Sequence, residues 1–365
     1  MRLGIPHTGN IHIPMRALFE RLDIDYVIPP VNSQRTLSLG ARHSPEGLCL
    51  PFKLILGNFI EATEAGADTL LMVGGNGICR LGYYARTQEQ ILRDLGYDFE
   101  MVTLGVSDHK LFGFLNLIKR LTNNTPWLKI ISAFRFGLAK LYALDRIEHR
   151  VQKIRAVEQT KGNANQIYRK AIEAIDKTDD YRMIKKIEAD YTDQLNEISI
   201  DTEANPMLVS IIGEFYVVLE PFSNFDIESE LGKLGIEVRR TTFISEWTKF
   251  SWFLNPLGIN EKDRAHKAAL PYLKRDIGGE GWESVGEKVL HAGKYDGLIH
   301  LAPFTCLPEI VAQNIMPHTK EKIPVLTILC DEQATKTGMM TRLEAFVDML
   351  ERKRRVAKKD LQTVH

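Results

Sequence analysis

Two stretches of this chain alternate short apolar runs with segments carrying apolar residues at helical spacing, and that rhythm constrains the fold most. In the first stretch, residues 3–5 read as a strand, 14–22 as a helix and 26–28 as a strand stopped by Pro29 and Pro30. A helix over 51–65 comes next, with proline near its first turn, where a missing N–H costs little. A strand over 69–73, a helix over 82–95 ended by Gly96 and a strand over 99–104 complete it. The second stretch has strands at 208–212, 236–239, 298–304 and 325–330, with helices at 225–234, 282–290 and 308–315. Thr341 and Glu344 predict a capping box for a last helix to about Arg355, followed by a frayed basic tail.

Strands separated by helices pair in parallel, because the crossover reverses direction twice. The expected fold class is α/β: two doubly wound parallel-sheet (Rossmann-like) domains with a helical insertion. The boundaries fall at 1–108 for the N-terminal domain, 109–205 for the insertion and 206–365 for the C-terminal domain with its terminal helix. The insertion is charged and helix-forming, basic between Lys110 and Lys161 and acidic from Asp176 to Glu203. It reads as a long antiparallel hairpin whose charges are either a solvated face or a docking face.

Forty-seven basic and 47 acidic side chains cancel, which removes any global attraction to nucleic acid or anionic membrane. The N-terminus, MRLGIPHTGNIHIP, has no signal-peptide core, and no apolar run approaches the ~20 residues that span a bilayer. A cytoplasmic protein with neither nucleic acid nor membrane as partner is expected. Its four cysteines are then buried, catalytic or metal-bound rather than disulfide-paired.

Cys49, Cys79, Cys306 and Cys330 obey no local C-x-x-C rule. Their places in the topology are more informative. Cys79 follows the strand over 69–73 across the loop Gly74-Gly75-Asn76-Gly77, Cys306 follows the strand over 298–304, and Cys330 ends the next. Cys49 stands just before the helix over 51–65. Open parallel sheets bind ligands beyond the carboxyl ends of their strands. Cys49 and Cys306 each precede a helix with proline in its first turn, where N–H groups favour a thiolate. Lys53 and Arg80 stand beside two of the thiols. Buried core cysteines and structural zinc are the competing readings.

Glu46, Glu309, Asp331 and Glu332 lie beside cysteines, where a carboxylate can bind an iron or move a proton; Glu309 alternatively just favours its helix N-terminus. Glu46 and Glu309 are the catalytic candidates. Gly278-Gly279-Glu280-Gly281 precedes a helix and reads as either a plain loop or a phosphate cradle, without the full dinucleotide or P-loop motif. His300, within an apolar strand, reads as a core histidine.

The segments LGIPHTGNIHIP, SPEGLCLPFKLILGNF, GNGICRLGYYARTQEQ, DIGGEGWESVGE, DGLIHLAPFTCLPEIVA and TGMMTRLEAFVDML resemble the 2-hydroxyacyl-CoA dehydratase superfamily. It includes benzoyl-CoA reductase subunits and double-cubane cluster proteins, and the likeness is to its compact activase-related branch. The resemblance covers both α/β regions and implies a [4Fe-4S] cluster on Cys49, Cys79 and Cys306. It implies a homo- or heterodimer, an ATP-hydrolysing, cluster-bearing activator and an acyl-CoA or other small-molecule substrate, within an anaerobic metabolism. Cys330 is either a fourth cluster ligand or a core residue. Three functions compete: low-potential reductive chemistry at a cluster, electron transfer or scaffolding without catalysis, and a zinc-bearing or metal-free binding protein.

Overall fold

The computed structural model describes residues 1–74, 79–104, 111–245 and 261–363. Gly75, Asn76 and Gly77 of the expected loop before Cys79 lie outside the described residues, as does Lys110. The chain is mixed α/β with two four-stranded sheets, and every strand pair is parallel.

The first sheet joins β1 (Leu3–Gly4), β2 (Tyr26–Val27), β3 (Thr69–Val73) and β4 (Glu100–Leu104) in the order β2-β1-β3-β4. The second joins β5 (Met207–Gly213), β6 (Ile236–Arg240), β7 (Gly297–Pro303) and β8 (Val325–Cys330) in the order β6-β5-β7-β8. The two orders are the same arrangement used twice. In each, consecutive strands are laid down on opposite sides of the first, which leaves a crevice at its carboxyl end. β7 is buried along its whole length, as a continuous apolar run between covering layers must be. One apolar core runs through both halves, with Phe52 and Leu56 in the same buried cluster as Val209, Ile299 and Leu343.

Cys49 is placed by two helices that touch backbone to backbone. Gln34–His43, absent from the sequence reading, starts at a capping box in which Ser33 and Thr36 satisfy each other's backbone N–H. It crosses Leu50–Glu64 at Gly40 and Gly57. A Cβ on Gly40 would meet the Lys53 carbonyl at 1.7 Å, and one on Gly57 the Thr36 carbonyl at 2.0 Å. Only hydrogen side chains allow that approach. Leu50–Glu64 is consequently buried from Leu50 to Ala62, and Cys49 is its N-cap.

The insertion is four helices, Leu111–Leu121, Trp127–Val157, Asn163–Lys177 and Tyr181–Asn196. The expected hairpin is instead one long helix flanked by two shorter ones around their own core of Ile147, Val151, Tyr168 and Ile175. The end of its first helix and the start of its second lie at the amino-terminal edge of the first sheet. Arg120 pairs with Glu100, the first residue of β4, and Lys129 pairs with Asp23 ahead of β2.

Two sequence expectations are corrected. The helix expected over 225–234 is shorter, Ile227–Lys233, because Phe225 and Asp226 take left-handed conformations ahead of it, and two short helices that were not expected, Phe215–Leu219 and Pro221–Asn224, precede it. The last helix is Lys336–Thr363, longer at both ends. Thr335, not Thr341, caps it: the Gly338 N–H donates to the Thr335 hydroxyl at 3.2 Å, while Thr341 bonds back to the Thr337 carbonyl inside the helix. Among the described residues no helix is long and apolar enough to cross a membrane.

Candidate functional site

Three of the four cysteines head helices at the carboxyl edges of the sheets. Cys49 caps Leu50–Glu64, Cys306 caps Leu307–Ile315, and Cys79 lies two residues before Leu81–Asp94. The first two are buried and Cys79 is half-buried. Their loops meet at Arg80. Its guanidinium donates from Nη1 to the Gly47 carbonyl at 2.6 Å and from Nη2 to the Thr305 carbonyl. One side chain, adjacent to Cys79, therefore ties the loop before Cys49 to the residue before Cys306.

Thr305 holds φ at +66°, and its hydroxyl is buried without a partner among the described residues. A β-branched residue there costs about 1–3 kcal/mol. Such strain persists only where surrounding contacts over-determine it, and the bond from Arg80 is one of them. The Gly278–Gly281 turn closes on the same place. A Cβ on Gly279 would stand 3.1 Å from Pro308 Cγ and 3.8 Å from Cys79 Sγ, and one on Gly281 would meet the Pro308 carbonyl at 2.5 Å. Close approach to the Cys79 and Cys306 loops accounts for these glycines without a phosphate.

Burial raises all four thiol pKa values. Cys79 is pushed to about 11 and Cys330 to about 12, while Cys49 and Cys306 are also raised. The expected helix N–H groups do favour the thiolate, from Phe52, Leu81 and Glu309, but they are outweighed. Tyr84 also favours the thiolate: its hydroxyl lies 2.6 Å from Cys49 Sγ. Thiols of this kind hold their protons without a metal and ionise when a metal replaces the proton.

Cys330 stands apart. The charges of Cys79 and Cys306 are coupled to Cys49, whereas Cys330 feels Glu214, Asp331 and Arg342. Among the described residues its sulfur reaches only the Ile328 carbonyl of its own strand, at 3.9 Å, and it packs in the main core. Lys53 does not turn to Cys49; it pairs with Glu332 at 2.7 Å, across the two halves.

Of the two catalytic candidates, Glu46 is exposed on the turn before Cys49. Glu309 is wholly buried. Its Oε2 lies 2.7 Å from His300 Nε2 and accepts from Ser284 Oγ at 2.9 Å, while Oε1 has no partner among the described residues. His300, as expected, is a partnered core residue.

Two carboxyls escaped the sequence reading. Glu214 follows β5 at the crevice of the second sheet and caps the next helix, Oε2 accepting from the Val217 N–H at 3.0 Å. Burial, then Glu280, pushes its pKa to about 8. Burial raises Glu280 to about 7 against the pull of Lys262. The charge of Glu214 bears on all four thiols. Glu280 was read only as part of the Gly278–Gly281 turn, and Glu214 sits in no motif; its place at the end of a strand was the available signal.

A separate polar cavity of about 490 Å³ lies between Asn10, the insertion and the segment after β5. Arg240 there pairs with Glu148 and Glu228, and Arg155 with Glu228.

Among the described residues no three histidine, cysteine or acidic side chains are placed to hold a single metal ion. A cubane makes a different demand, since each thiolate binds its own iron at its own corner. At the rim the described donors are three thiols from three loops, with helix N–H groups and the Tyr84 hydroxyl beside them. No protein-family model matches this chain, and no curated protein sequence matches it.

Proposed function

We propose that this chain is an iron–sulfur protein related to the 2-hydroxyacyl-CoA dehydratase superfamily, built from two Rossmann-like domains and holding a [4Fe-4S] cluster on Cys49, Cys79 and Cys306. The observation that carries this reading is the Arg80 bridge, which fastens together the three loops that bear the motif-matched thiols. Cys330 is a core residue in this reading, so one iron has no protein sulfur.

When bound, the cluster supplies one-electron chemistry at low potential and an iron open to an oxygen ligand. The chain's own residues do the rest. Helix N–H groups and Tyr84 offset the negative charge on the thiolates. Glu214 and Glu280 hold protons near neutral pH, and His300 with Ser284 fixes Glu309 in one orientation. Glu214 and Glu309 replace Glu46 as the carboxyls nearest the chemistry. The ATP-dependent activator would dock on the cysteine rim. Arg120 and Lys129, from the basic stretch that suggested it, lie at the opposite edge of the first sheet. The cytoplasmic setting, the dimer and a hydroxyacyl thioester or other small oxygenated substrate belong to the same reading.

Anaerobic purification tests it. The wild type should be brown, with roughly four irons and four acid-labile sulfides per chain. Alanine at Cys49, Cys79 or Cys306 should abolish the colour. Colourless wild-type protein, or stoichiometric zinc, would overturn the proposal.

A further inference from the structure

We propose that Arg80 is a positioning residue that locks the three cysteine loops into one frame before any metal arrives. Its purpose rests on the cluster reading; its mechanics do not. Three lone loops, two following different strands and one between two helices, have no reason to keep a fixed separation. Gly47, Thr305 and Cys79 belong to segments 32 or more residues apart, and the two carbonyls that Arg80 engages are 258 residues apart. A planar guanidinium presents paired donors at a fixed spread, so binding two carbonyls at once fixes their distance and angle. The strained backbone of Thr305 shows which way the frame is loaded. Released from Arg80, that carbonyl loses a bond holding the left-handed conformation, and Cys306 follows it as the next residue. The same cation lies beside a site that becomes anionic on loading, and it favours the thiolate form of Cys49.

Lysine keeps the charge but is a single point donor, and glutamine loses the charge as well. The metal-free protein is therefore the cleanest test. Arg80→Lys and Arg80→Gln should each raise the rate of maleimide labelling at Cys49 and Cys306 by about tenfold or more, read peptide by peptide, through local opening. Cys330, held in β8 and untouched by Arg80, serves as the internal control and should keep its wild-type rate. Unchanged labelling at Cys49 and Cys306 would overturn the proposal. So would a matching rise at Cys330, which would mean global loosening. In loaded protein, Arg80→Gln should also shift the midpoint potential to a more negative value, and Arg80→Lys should restore most of that shift while still losing iron faster than wild type. If labelling behaves as stated but the wild type takes up no iron, the frame stands and the cluster reading falls.

Discussion

The hydroxyl of Tyr84 meets the sulfur of Cys49 at 2.6 Å, and the Tyr84 ring is fixed edge-on to Phe52 with centroids 5.0 Å apart. The hydroxyl thus has a fixed address, which matters because a buried sulfur carrying charge needs a donor. Tyr84→Phe should leave the iron count unchanged, lower the cluster's midpoint potential and alter its reduced-state spectrum. Iron analysis with redox titration checks this. An identical potential would mean that the hydroxyl serves packing alone.

Cys330→Ala should keep full iron and the wild-type spectrum while destabilising the fold by about 1–2 kcal/mol, the cost of a small void in a packed core. Urea denaturation of the metal-free protein measures the second quantity. A fall in iron would make Cys330 the fourth ligand.

The raised pKa of Glu214 has a definite sign in stability. Its folded value of about 8 lies above the ordinary 4.5, so the folded state holds the proton more tightly. That stability is complete below pH 4.5 and is lost as pH rises through about 8. Glu280, raised to about 7, acts in the same sense over a narrower window. These two groups should therefore withdraw stability from the metal-free protein between about pH 4.5 and 8. Glu214→Gln should flatten the decline. Thermal melts across that range decide it, and a parallel decline in the variant would assign the effect elsewhere.

Glu332→Gln removes the counter-charge of the Lys53 ammonium, whose side chain is 4% exposed, whereas Glu332 is 35% exposed. The solvent at the Glu332 end holds the cost to about 1–2 kcal/mol, below the ~3–5 kcal/mol of a fully buried pair. Lys53→Met combined with Glu332→Gln should recover part of the loss. A double-mutant cycle by chemical denaturation reads the coupling.

The strands and the rim positions of Cys79, Cys306 and Cys330 were legible because apolar runs alternating with helices confine the residues after each strand to one edge of a sheet. The helix Gln34–His43 was not legible. Its sequence is polar and small, and what places it is a glycine contact with a helix that its own sequence does not contain. Arg80 could be seen as a cation beside Cys79, but its partners are main-chain carbonyls, which carry no residue signature. Glu214 was hidden for a related reason: its importance comes from the thiols around it, contributed by loops far away in sequence. The Gly278–Gly281 turn read as either a plain loop or a phosphate cradle, and its contact with Pro308 and Cys79, residues distant in sequence, carried no local signal.

The same strand order appears in both sheets, yet the thiols are shared out unequally: Cys49 and Cys79 belong to the first half and Cys306 to the second. A ligand gripped by all three would act as a rivet across the seam. The shared apolar core and the Arg80 bridge cross the same seam, so the ligand's loss would loosen the rim and leave the halves packed together. Scattering curves taken before and after oxidation should then give the same radius of gyration.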